Sequence, residues 1–219
     1  MTETHVALAP KPLLRGWSHL VSFPLWLASG VAMIALANVA ASGKVLLAVY
    51  VGGTGIMFGV SAMYHRGRWQ PAAKLLMQKF DRSAIFLAIA GGYTPVAWVC
   101  LDGWLRVTML SVAWTGAALG ILVHWLPRVP KAWKGASYMI VSWTAVLVVP
   151  QLVHGLGGAG FALLFAGGAC YTVGALSLAT QWPNPWPKVF GFHEVFHAFT
   201  VIAAALQFVA IQLAVIPQL

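Results

Sequence analysis

Apolar residues run along this chain in long blocks, and each block is closed by Lys, Arg, Pro or Gly. The blocks fall at about residues 18–40, 45–64, 83–101, 107–126, 135–153, 158–180 and 192–216. Each is close to the roughly 20 residues that a helix needs to cross about 30 Å of hydrocarbon. The pattern predicts an all-α polytopic membrane protein with seven transmembrane helices. The connections are short: a turn at 42–44, a basic segment at 66–82, and turns at 102–106, 127–134, 154–157 and 181–191. None is long enough for a separate domain, so residues 1–219 are expected to form a single seven-helix membrane domain behind a tail of about residues 1–16.

Composition sharpens this picture. The chain is 60% hydrophobic and 8% charged, whereas an average soluble domain is about a quarter charged. A net charge of +9 would suggest a nucleic-acid partner in a soluble protein. Here the cations sit between apolar blocks and are explained by topology, so no nucleic-acid partner is expected. Lys11, Arg15, Arg66, Arg68, Lys74, Lys79, Arg82, Arg128, Lys131, Lys134 and Lys188 fall on one side of the predicted membrane, and only Lys44 and Arg106 on the other. Basic residues favour the inside, which puts the N-terminus in the cytoplasm and the C-terminus outside.

The first fifteen residues lack an apolar core and a cleavage site, so the first helix is expected to act as the insertion signal. Cys100 and Cys170 lie within apolar blocks and read as packing residues. Trp17, Trp69, Trp104, Trp125, Trp133, Trp182 and Trp186 lie in loops or at helix ends and read as interface anchors. "AGGYTP" at 90–95 suggests close helix packing and a proline kink, and "WPNPWP" at 182–187 a turn.

Ionisable residues near membrane depth are costly, so the few present are candidates for chemistry. The acids are Glu3, Asp81, Asp102 and Glu194; the histidines are His5, His19, His65, His124, His154, His193 and His197. "GFHEVFH" at 191–197 matches the H-E-x-x-H pattern of zinc proteases, in which the Glu is the general base. Those enzymes take their third ligand from further along the chain, and residues 198–219 hold no His, Asp, Glu or Cys. A third ligand must therefore come from an earlier helix.

"SAMYH" at 61–65 places one at the cytoplasmic end of helix two, at the depth where helix seven begins with His193 and His197. Spacing of i,i+4 sets His193 and His197 on one helix face, and Ser61 one turn deeper than His65. Three neutral imidazoles with one open position make a catalytic type of Zn2+ site. His124 and His19 read as hydrogen-bonded packing residues, His154 as exposed in an outer turn, and Glu194 as a carboxylate favoured by the N-terminal dipole of helix seven.

The order S-x-x-x-H, then Asp, then H-x-x-x-H resembles the hemolysin III branch of the progestin and adipoQ receptor family, which includes the adiponectin receptors and is related to alkaline ceramidases. "SAMYH", "FDRSAIFLAIAGGYTP" and "GFHEVFH" fall in the family's order, and the resemblance covers nearly the whole chain. It implies seven helices, an inward N-terminus, and zinc held by His65, His193 and His197, with Ser61 and Asp81 as the family's Ser and Asp. It also implies that Glu194 is dispensable, since the family tolerates other residues there. In "RGWSHL" the family's Asn-containing lead-in is only partly kept, although His19 matches.

The resemblance to ceramide-cleaving enzymes suggests a zinc-dependent hydrolase of a lipid amide or ester, with Asp81 taking the proton of the attacking water and Ser61 bonding the water or the oxyanion. The expected partner is a membrane lipid, and the expected location is a bacterial inner membrane with the site near the cytoplasmic leaflet. A lipid-responsive receptor or regulator and a pore-forming hemolysin are the alternatives. A pore should show a polar stripe along several helices, and these spans carry few such residues. A retinal pigment is excluded by the lack of a Lys in helix seven.

Overall fold

A backbone in hydrocarbon has no water to bond, so it must satisfy its N–H and C=O groups within the segment, and a helix does so. The computed structural model, which describes residues 11–219, follows this rule. Its elements are α1 (Trp17–Leu36), α2 (Ala41–Arg66), α3 (Pro71–Cys100), α4 (Gly103–Trp125), α5 (Lys131–Trp143), a 3-10 turn (Thr144–Val148), α6 (Val149–Thr180) and α7 (Phe192–Ala210). No strand occurs among the described residues. Glu3 and His5 lie outside them, as does most of the expected tail.

Six helical stretches are long and apolar enough to cross a membrane, and one of these is the 50-residue run Lys131–Thr180. Straight, that run would extend for about 75 Å, more than twice a hydrocarbon core. It is broken at Gly157, whose φ of 66° and ψ of 170° lie in a region essentially reserved for glycine. Before the break the chain runs beside α3 in the same direction. The Tyr138 hydroxyl donates to the Arg82 carbonyl at 3.1 Å, and further on Gly155 abuts Cys100. After the break it runs antiparallel to α7, with Gly160 against Ala214, Gly167 against Ala203, and Gly174 against Phe196 and Phe199. The chain thus doubles back at Gly157, within the turn expected at 154–157.

Two expected boundaries move. The segment 66–82 is not a loop throughout, because α3 starts at Pro71. Pro71 at the first helical position presets φ, and Ala72, Ala73, Leu75, Leu76 and Met77 favour helix. The cations Lys74, Lys79 and Arg82 limit how far the chain enters lipid but do not end the helix, so Asp81 lies inside α3. At the far end, α7 loosens into a π turn (Ile211–Val215) and a 3-10 turn (Ile216–Gln218). Pro217 has no N–H to continue the i→i−4 ladder there. Pro95 does not end α3; the Thr94 hydroxyl bonds the Ala90 carbonyl at 2.8 Å and accepts from Trp114 Nε1 at 3.2 Å.

The core is built around Tyr50, Phe58, Phe86, Leu47, Leu101 and Ile211, all nearly inaccessible. Close approach sets its geometry: a methyl on Gly53 would come within 2.5 Å of the Leu87 carbonyl oxygen, the small-residue contact by which helices associate in lipid. Large apolar side chains cover the outside, including Leu36 at 84% exposure and Leu147 at 77%. Water would not tolerate such a surface, whereas lipid favours it. Gly157→Ala is expected to destabilise the fold by about 1–3 kcal/mol, because a Cβ strains that conformation. Gly168→Ala, with no atom near its would-be Cβ, serves as the control. A thermal unfolding scan in detergent checks this, and equal midpoints for the two variants would contradict it.

Candidate metal centre

The C-terminal turn of α2 and the N-terminal turns of α7 meet at one end of the bundle. His65 is buried in the last turn of α2, and His193 and His197 project from the start of α7. One ring nitrogen from each lies within 4.8 Å of the others. His193 Nε2 stands 3.2 Å from His65 Nε2; nitrogens held at about 2.0–2.1 Å by a tetrahedral metal stand about 3.3 Å apart. His197 Nδ1 is buried with no hydrogen-bond partner. A soft-to-borderline donor set of three imidazoles, packed at metal-bridging distance, fits a bound cation. The three residues could therefore hold a metal ion.

Ser61 lies one turn deeper on α2 and is buried. Asp81, on the third turn of α3, sets its carboxyl beside the Ser61 hydroxyl. An acid and a hydroxyl are therefore neighbours on the helices that adjoin the histidines. Glu194 is differently employed. Its Oε2 accepts from the Gly191 N–H at 2.9 Å, capping α7, and its Oε1 pairs with Arg15. With both oxygens engaged outside the cluster, Glu194 is not placed as a protease-type base, which answers the question raised by H-E-x-x-H.

His124 is buried among Phe86 and Tyr138, with Nδ1 3.0 Å from the Gly120 carbonyl. It is the packing residue expected. His154 is exposed, on the opposite end of the bundle.

Three neighbours escaped sequence reasoning. His19, on the first turn of α1, stacks on His197 with ring centres 4.0 Å apart and planes 3° from parallel. Both its ring nitrogens are buried without partners, so the expected hydrogen bond is replaced by ring stacking. Arg15 reaches Glu194 across 179 residues of sequence. Lys11 Nζ donates to the His65 carbonyl oxygen. Partial burial, then Arg15, Lys74 and Arg66, hold the Lys11 ammonium below its ordinary pKa. Residues 11–16 are tied to the α6–α7 connection by Leu13 N–H to Lys188 O and Leu14 N–H to Val189 O, both at 3.0 Å. Gly16 completes the strap at a φ of 79°, and a side chain there would bring its Cβ within 2.5 Å of His65 Cβ. The signals for these contacts in the sequence are the cation-rich lead into α1, which topology already explains, and the match of His19 to the family's lead-in.

Comparison with known proteins matches residues 8–208 to the family described as Haemolysin-III related. Hemolysin-3 of Bacillus cereus is 33% identical over 179 residues, 81% of this chain and 78% of that protein. The Hemolysin-3 homolog of Bacillus subtilis (strain 168) is 34% identical over 137 residues, 62% of this chain and 61% of that protein.

Purified protein is expected to carry about one metal ion per chain, the stoichiometry of a single three-histidine site. His65→Ala, His193→Ala and His197→Ala should each lose most of it, while His124→Ala and Glu194→Gln keep it. His19→Ala should weaken metal affinity roughly tenfold, the scale of a lost orienting neighbour, and His19→Phe should restore it through stacking. Elemental analysis by plasma mass spectrometry, with chelator titration, reads all seven variants. Full occupancy in His65→Ala would dismiss the cluster.

Proposed function

This chain belongs to the haemolysin-III related family, and on that premise we propose that it is a zinc-dependent hydrolase that cleaves an amide or ester of a membrane lipid. The observation that carries the reading is the pairing of two constellations: three converging imidazoles, and an acid–hydroxyl pair, Asp81 and Ser61, with Ser61 one turn from His65 on α2. Zinc bound there would supply Lewis acidity, bringing the pKa of a water toward about 7 and polarising the scissile carbonyl. Asp81 accepts the proton from the attacking water and returns it to the leaving amine or alkoxide as the C–N or C–O bond breaks. The Ser61 hydroxyl donates to the oxygen that gains negative charge.

The substrate class rests on the likeness of these motifs to those of alkaline ceramidases. This reading puts the chain in a bacterial plasma membrane with seven crossings and the N-terminus inside; the cation distribution and the reversal at Gly157 support it. The histidines then open toward the cytoplasmic leaflet. A pore is the second reading, favoured by the name Hemolysin-3 of the Bacillus cereus relative.

Asp81→Asn is expected to keep its metal and thermal midpoint while losing at least about 100-fold in turnover, the scale of a lost general base. The assay follows fatty-acid release from fluorescent ceramides, lysolipids and acyl esters in nanodiscs, with and without chelator. No release from any of them by fully metallated wild type would favour a lipid-responsive receptor or regulator. Dye leakage from vesicles of ether-linked lipid, which offers neither ester nor amide, would favour the pore.

A further inference from the structure

Positive-inside bias explains which face of the bundle is basic but not how the cations are distributed on it. Lys11 donates to the carbonyl of His65. Arg66 follows His65 directly and stacks over Trp17, its guanidinium carbon 4.7 Å from the ring centre. Arg15 sits on the first turn of α7 through Glu194. Lys74, near the start of α3, is close enough to bear on the Lys11 ammonium. Four cations from three segments thus ring the end of α2 where the histidines converge. Among the described residues the one carboxylate found with them is Glu194, and it is already paired.

Like charges gathered this closely repel, and a partly sheltered ammonium such as Lys11 is screened less by salt than a free one. A surplus of positive charge at one point is a binding site for an anion. Its apolar flank says which anion. Leu13, Leu14, Trp17 and Leu20 alternate with the cations in the strap and first turn of α1, exposed by 69%, 42%, 42% and 38%. Cations beside exposed apolar side chains match the boundary between headgroup and acyl chain. A soluble phosphate would have no use for the leucines.

We propose that Lys11, Arg66 and Lys74, with Arg15 behind them, bind the phosphate of an anionic phospholipid headgroup at the mouth of the histidine cluster, its acyl chains lying against Leu13, Leu14 and Trp17. The lipid docks through the edge formed by the strap and α1. The inference rests on the chain's place in a bilayer and is independent of hydrolysis, because it concerns retention of a lipid rather than its cleavage. Within the hydrolase reading it selects anionic lipids as substrate or activator.

The test uses full-length protein in detergent, titrated with short-chain phosphatidylglycerol or phosphatidylcholine and read by native mass spectrometry. Wild type should retain phosphatidylglycerol over phosphatidylcholine. Lys11→Gln/Lys74→Gln should reduce that preference by roughly tenfold or more, given the usual contribution of each cation near an anionic headgroup. Arg128→Gln/Lys131→Gln removes the same charge elsewhere and should leave the preference intact. Glycerol phosphate at millimolar concentration should not displace the lipid. Lys74→Glu, a single change on an exposed helical position, should lower the preference on its own should the double variant fold poorly. Absence of any preference in wild type, equal losses in the two double variants, or displacement by glycerol phosphate would each overturn the proposal. Since no turnover is measured, these outcomes stand apart from success or failure of the hydrolase assay.

Discussion

Three imidazoles crowd one small volume at the end of a bundle whose outside is made for lipid. Burying a polar group without a partner costs roughly 2–7 kcal/mol. The cluster nevertheless contains one contact between ring nitrogens, His193 to His65, and leaves His197 Nδ1 with no partner. Shared coordination of a cation would relieve this arrangement by giving each histidine a lone-pair acceptor at the same point. The local architecture is arranged to hold the three side chains there. α2 is long enough to carry His65 to the end of the bundle, α7 begins where His193 and His197 face it, and the Gly16 strap fits between because it has no side chain.

The surroundings rigidify that point rather than add donors to it. His19 lies flat on His197, so the ring's plane is fixed from α1 while its nitrogens stay available. Glu194 caps α7 and anchors Arg15, which ties the chain before α1 to the helix that bears two of the histidines. Three imidazoles held this way are presented by rigid helices, and Lys11, Arg15 and Arg66 surround them through contacts to the His65 carbonyl, Glu194 and Trp17.

Much of this was legible in the sequence. Apolar blocks gave the helices, since hydrocarbon leaves the backbone no other choice, and His65, His193 and His197 were found because helix direction fixes depth. The start of α3 was not legible from hydropathy: Lys74, Lys79 and Arg82 end the apolar block but not the helix, because leaving lipid and leaving helical geometry are separate events. The reversal at Gly157 was visible as an interval between blocks, yet its sharpness depends on one glycine conformation that spacing does not encode. Arg15–Glu194 and His19–His197 were hidden for another reason. Both join chain segments nearly the full sequence apart, and a positive charge ahead of α1 already had a sufficient explanation in topology.

X-ray absorption at the zinc edge, on metallated protein in a membrane mimetic, tests the central claim most directly. Three histidines with one open position predict three nitrogen scatterers and one oxygen at about 2.0–2.1 Å, with no sulfur shell. A sulfur shell at about 2.3 Å, or zinc bound with that same spectrum in the His65→Ala/His193→Ala/His197→Ala variant, would contradict it.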